Sequence, residues 1–228
     1  MRLFAALLAT TAIVGLATVT ASAADLPRGP VYKAPVAIPL YNWSGLYIGA
    51  NIGWGWGSGS GTATIGGITG PTSGSGNGFL GGAQIGYNMQ AGAWVFGLET
   101  DFQGSGGEST VTGPNATTAT AKGPWFGTIR GRLGYAFDRS LLYVTGGGVY
   151  GRANLDGTSG GVAFSSSTTA WSWTLGGGLE QALWDRWSAK LEYLYVGSPN
   201  KVPVPPATTA VSGDSHGHIV RAGLNYRF

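Results

Sequence analysis

Val220-Arg221-Ala222-Gly223-Leu224-Asn225-Tyr226-Arg227-Phe228 closes the chain. Val220, Ala222, Leu224, Tyr226 and Phe228 fall on one side of a strand. Arg221, Gly223, Asn225 and Arg227 fall on the other. A strand of this kind must lay its apolar side against a protein core or against lipid. The charges elsewhere in the chain decide between the two.

Charged residues make up only 10% of the sequence, against about 25% in an ordinary globular protein. From Ala34 to Leu98 there is no Asp, Glu, Lys or Arg. Gly, Ser and Thr interrupt that stretch too often for a spanning helix, so a membrane could accept it only as strands. The 42 glycines follow no collagen triplet, and 43% hydrophobic residues is too apolar for disorder. Cysteine is absent, which excludes disulfide frameworks and thiolate metal sites. Met1 to Ala23 reads as a secretory signal, with Arg2 before the apolar stretch Leu3 to Val19 and Ala21-Ser22-Ala23 as the cleavage site. Its removal leaves 12 Lys+Arg against 10 Asp+Glu, a formal charge of +2. No basic cluster appears, so nucleic-acid binding gains no support.

Ala24 to Tyr41 carries four prolines and reads as an extended periplasmic leader. From Asn42 onward, period-two alternation marks eight candidate strands: 42–56, 77–90, 93–103, 124–137, 141–153, 169–184, 187–197 and 215–228. Tight turns at Ala91-Gly92, Asp138-Arg139-Ser140 and Asp185-Arg186 recur about every 46–47 residues. Long Gly/Ser/Thr-rich connections, near 58–76, 104–122, 154–168 and 198–213, separate them. Short turns at one end and long loops at the other are the pattern of a transmembrane barrel.

The charges follow the alternation. Glu99, Asp101, Arg130, Arg132, Arg152, Glu180, Lys190, Glu192, Arg221 and Arg227 all take the parity assigned to the lumen. A lipid-facing Arg or Lys at mid-bilayer costs about 2–4 kcal/mol, so the alternation is an energetic requirement. A soluble barrel would reverse it, apolar inside and charged outside. The expected fold is therefore all-β, an eight-stranded antiparallel up-and-down transmembrane β-barrel over residues 42–228. Eight strands leave an interior just wide enough for side chains.

Tyr41-Asn42-Trp43-Ser44-Gly45-Leu46-Tyr47-Ile48-Gly49-Ala50-Asn51-Ile52-Gly53, Gly82-Ala83-Gln84-Ile85-Gly86-Tyr87-Asn88, Tyr143-Val144-Thr145-Gly146-Gly147 and Lys190-Leu191-Glu192-Tyr193-Leu194-Tyr195 add a resemblance. With the leader Ala24-Asp25-Leu26-Pro27 and the Tyr-x-Phe terminus, the chain resembles the small opacity-type porin family of alphaproteobacterial outer membranes. That resemblance implies a role in envelope integrity, surface exposure and host contact, and it supplies no catalytic residues. It also implies that Tyr226 and Phe228 are the signal read by the barrel-assembly machinery.

Three strings with chemical associations remain. Gly146-x-Gly148-x-x-Gly151 lacks the following helix that a dinucleotide site needs, and reads as a strand. Gly157-Thr158-Ser159-Gly160-Gly161 lacks the strand-to-helix turn of a nucleophile elbow and reads as a polar outer loop. Ser215-His216-Gly217-His218 places the chain's two histidines on one strand face near the outer rim, where they could ligate haem or a metal, or one could serve as base for a lipid-modifying hydrolase. No matching third ligand is evident, and the expected cofactor complement is none. The sequence points to a non-enzymatic outer-membrane protein with a structural or surface-interaction role. Small-solute diffusion is the alternative, and haem or metal binding at His216 and His218 a weaker one. The expected partners are outer-membrane lipid and lipopolysaccharide, the assembly machinery, and surface ligands of the outer loops.

Overall fold

A computed structural model describes residues 41–65, 68–114, 116–197 and 208–228. The expected signal segment 1–23, and the leader up to residue 40, lie outside the described residues. Nine strands form one sheet: β1 (Gly45–Ile65), β2 (Ile68–Ala91), β3 (Trp94–Ser105), β4 (Glu108–Gly113), β5 (Thr117–Phe137), β6 (Ser140–Ser159), β7 (Val162–Trp184), β8 (Trp187–Gly197) and β9 (Thr208–Arg227). Every pairing is antiparallel, and β1 bonds to β2 on one side and β9 on the other. The terminal stretch therefore meets the first strand, with Tyr226 opposite Ile48 and Val220 opposite Trp54.

The expected eight-stranded up-and-down barrel is not what the chain forms. The ring is irregular and holds nine strands among the described residues, because the connection 104–122 is not a loop. After a break at Gly106 and Gly107, Glu108–Gly113 resumes as β4 and pairs with both β2 and β5. β3 and β4 thus share the place between β2 and β5, and register shifts interrupt β1–β9, β5–β6 and β7–β8.

The other long connections are also largely strand. β1 and β2 stay paired to Ile65 and Ile68, and β6 and β7 to Ser159 and Val162. β2 has 24 residues, roughly twice the 9–11 that cross a bilayer at a tilt of about 45°. These hairpins therefore project well beyond a membrane. The turns at the opposite end are short, with Gly92 and Asp138 at φ of 62° and 52°.

Burial alternates along the strands, and large apolar side chains occupy the outer face. Ile52, Leu98, Leu175 and Leu191 are each about 60% exposed. Two rows of rings bound this belt. Phe102, Trp125, Tyr150 and Trp171 run in sequence across β3, β5, β6 and β7, with centroids 5.4–6.3 Å apart. At the turn end Trp94 meets Tyr135, and Trp187 meets Tyr226, at 5.3 and 5.2 Å. An apolar belt between aromatic girdles matches a bilayer and is incompatible with water. Leu98, midway between Trp94 and Phe102, gives a test. Leu98→Arg is expected to lower stability by about 2–4 kcal/mol in lipid vesicles, measured by urea unfolding.

Candidate functional site

The alternation that turns Leu98 outward turns Glu99 inward, and the same rule operates on every strand around the lumen. Glu99 and Asp101 come from β3, Arg130 and Arg132 from β5, and Glu180 from β7. Lys190 and Glu192 come from β8 and Arg221 from β9. These eight side chains, four acids and four bases, are each 5% exposed or less. Register brings them to one level, with Glu99 opposite Arg130, Glu180 opposite Lys190 and Glu192 opposite Arg221.

Arg130 lies at the centre. Its guanidinium donates to Glu192 and Asp101, each at 3.0 Å, to Glu99, and through Nε to Thr128 Oγ1 at 2.9 Å. Arg221 donates to Glu192 at 2.6 Å and Asp101 at 2.9 Å. Lys190 reaches both Glu99 oxygens, at 2.9 and 3.0 Å. Nearer the turn end, Arg132 donates to Glu180 at 2.6 Å, and its guanidinium lies 3.9 Å from the Tyr143 ring centroid. Charges this deeply buried are tolerated only when paired and hydrogen-bonded. Each of the eight has an opposite charge within 3.0 Å, although Asp101 Oδ1 and Arg132 Nε have no hydrogen-bond partner among the described residues.

Neutral side chains that carry no charge signal complete the network. Tyr47 donates to Glu99 at 2.7 Å and Tyr143 to Glu192 at 3.0 Å. Ser188 and Asn225 both donate to Glu180. Asn51, Gln84 and Asn225 form an amide chain across β1, β2 and β9. Gly86 and Gly178 leave room for the two tyrosines, since a Cβ at Gly178 would sit 2.6 Å from the Tyr143 hydroxyl. The sequence reading misses these residues as site members, although the inward parity of Tyr47 is a signal for one of them. Tyr143 is hidden because Arg152 suggests the opposite facing for its strand.

Below the network, Trp43 is fully buried with Val95, Ala136, Leu141, Tyr143 and Ala182 at the turn end. Above it, Leu80, Leu194 and Ile219 pack with Phe126 and Val196. The charged layer is thus bounded on both sides by apolar side chains.

Two of the expected charges lie apart from this network. Arg152 is exposed and donates to Ser167 Oγ at 3.2 Å. It shares the outward parity of Leu142 and Val144, so the sequence reading of its facing is corrected. Arg227 is buried at the turn end, with its guanidinium 4.7 Å from the Trp43 ring centroid and 5.1 Å from that of Tyr41. His216 and His218 face outward among the upper girdle rings. His218 stacks on Trp56, and its Nδ1 lies 2.6 Å from the Tyr193 hydroxyl. Among the described residues, no three His, Asp or Glu side chains gather as a metal site. The glycines 146, 148 and 151 lie within β6, and Gly160-Gly161 forms the β6–β7 turn at positive φ. Tyr226 and Phe228 meet edge-to-face at 5.4 Å, and the Phe228 amide donates to the Leu46 carbonyl.

The outer membrane protein beta-barrel domain family matches residues 9–228. The 31 kDa outer-membrane immunogenic protein of Brucella melitensis is 36% identical over 220 residues, covering 86% of this chain and 89% of that protein. The 25 kDa outer-membrane immunogenic protein of Brucella canis is 30% identical, covering 92% and 91%. Among solved structures, the outer membrane protease OmpT of Escherichia coli aligns with a TM-score of 0.52 at 10% identity, covering 81% of this chain and 97% of that one. That last likeness is one of fold alone. The chain belongs to the outer membrane protein beta-barrel domain family and is an outer-membrane protein of the Gram-negative envelope.

Proposed function

We propose that this protein is a non-catalytic structural and surface-interaction component of the outer membrane. One observation carries the reading: the eight lumenal charges are at most 5% exposed. A water-filled path beside them would leave their oxygens and nitrogens accessible, so the interior works as a packed core. Function then falls to the outer surfaces. The apolar belt meets lipid and lipopolysaccharide, and the projecting hairpins β1–β2 and β6–β7 meet the surroundings. Relatives named as immunogenic accord with such exposure. The motifs around Trp43, Gln84, Tyr143 and Lys190 favour the opacity-type porins within the larger family. Tyr226 and Phe228, at the turn end of β9, are suited to recognition by the assembly machinery, after export directed by a cleaved signal 1–23.

Planar-bilayer recording of the purified protein tests this reading. No steady openings are expected, and steady openings from monomer would replace the structural role with small-solute diffusion. Haem or metal binding at His216 and His218 gains nothing from the geometry, since Tyr193 already engages the His218 ring and His216 lies 3.5 Å from the Ser58 hydroxyl.

A further inference from the structure

Above the apolar layer the interior changes character. A cavity of about 590 Å³ opens there, within the 300–1,000 Å³ usual for small-molecule sites. Its floor is Leu80, Phe126, Val149, Val196 and Ile219. Its wall along β1, β2 and β9 is mostly backbone, because the inward positions are Gly55, Gly57, Gly59, Gly76, Gly78 and Gly217.

Most of these glycines have a local cause. A Cβ at Gly57 or Gly76 would come within 2.7 Å of the neighbouring strand, and one at Gly59 within 2.8 Å. Gly55 and Gly217 have no such cause. A Cβ at Gly55 would find its nearest neighbour at 3.4 Å, and one at Gly217 at 3.8 Å, both ordinary contacts. Neither residue has positive φ. A Cβ meets no clash at either position, yet the sequence leaves both bare. In the layers below, by contrast, the interior is filled by side chains.

We propose that this vestibule binds a small uncharged molecule with an apolar ring or short chain, seated on the Leu80–Phe126–Ile219 floor. Charge is excluded by the lining. Glu108 and Lys122 lie at the cavity margin with exposed side chains and pair with each other at 2.8 Å. Asp214, His216 and His218 border the cavity but take the outward parity of β9, and His218 is engaged by Tyr193 and Trp56. Below the floor, Asp101 and Arg221 are already paired at 2.9 Å. A charged ligand would therefore be desolvated without a partner, whereas an apolar group would bury itself against the floor.

The test uses full-length protein in lipid nanodiscs and two probes, 4-fluorobenzyl alcohol and 4-fluorobenzoate, observed by ¹⁹F line broadening. Saturable broadening of the alcohol beyond that of empty discs is expected, with none for the carboxylate. Gly217→Ala should bind like the wild type. Gly217→Leu, which fills the void from β9, should bind about tenfold more weakly or worse. Gly55→Val fills it from β1 and decides the matter if Gly217→Leu fails to fold, as judged by heat-modifiable migration. Broadening no greater than in empty discs would overturn the proposal. So would equal affinity for the carboxylate, or undiminished binding by a folded filled variant.

Discussion

Replacing Arg130 by Met is expected to lower the stability of the folded protein by about 3–5 kcal/mol, the cost of removing one partner from a buried ion pair. Arg130 and Arg221 each touch Glu99, Asp101 and Glu192, and Arg130 does so with its side chain fully out of contact with water. Without Arg130, the three buried carboxylates share Lys190 and Arg221, with Arg132 more distant at 3.9 Å from Glu99. The methionine fills much of the vacated volume, so the loss reports on charge more than on packing. Urea unfolding in lipid vesicles, followed by tryptophan fluorescence, measures it. A second substitution sharpens the result. Arg130→Met with Glu192→Gln removes one charge of each sign, and it should be less destabilised than the sum of the single variants. Coupling between such neighbours is typically about 0.5–3 kcal/mol. A loss below about 1 kcal/mol for Arg130→Met would mean that water reaches the cluster, and the packed-core reading of the lumen would fall with it.

The charged layer is also the part of the interior most legible in the sequence. Parity alone places Glu99, Asp101, Arg130, Arg132, Glu180, Lys190, Glu192 and Arg221 on one side of their strands, because a charge on the lipid side is too costly to occur by accident. Arg152 lies beyond the girdle formed by Tyr150 and Trp171, where both strand faces are wet. There the energetic rule lapses and parity no longer discriminates. The same physics hides the upper halves of the long strands. Hydrophobic alternation disappears above the membrane, so 58–65 and 154–159 read as loops although both are paired strand. A second alternation is present in Gly55-Trp56-Gly57-Ser58-Gly59-Ser60-Gly61-Thr62, glycine at every other residue. At Gly57 and Gly59 it is a period of size, set by how closely the neighbouring strand approaches on the inner side. β4 carries no apolar alternation at all. Only its pairing with β2 and β5 reveals it, which is why hydrophobic pattern yields eight strands where the described residues form nine.

Trp43→Ala is expected to cost about 3–5 kcal/mol, at the level of the largest core truncations. Trp43 has the parity of Tyr47 and Asn51, so it turns into the lumen two residues before β1 begins. It is fully buried across the turn end against Val95, Ala136, Leu141 and Ala182. The segment is fixed from several directions. The Trp43 amide donates to Gln90 Oε1 at 2.6 Å, and Tyr41 donates to the Asp185 carbonyl at 2.7 Å. Arg227 donates to the Asn42 carbonyl at 2.7 Å while its guanidinium lies over both rings. Truncation at Trp43 therefore removes a base plate and also frees Arg227, which holds the end of β9 against the start of β1. Trp43→Phe keeps most of the volume and an aromatic face for Arg227, and should cost less than about 1.5 kcal/mol. Both values follow from unfolding in vesicles. Conductance separates this plate from the charged layer above it. Trp43→Ala should remain closed in planar bilayers, because Arg132, Glu180 and the cluster around Arg130 still fill the lumen. Steady openings in that variant would assign the seal to Trp43 and leave the charge network a purely stabilising part.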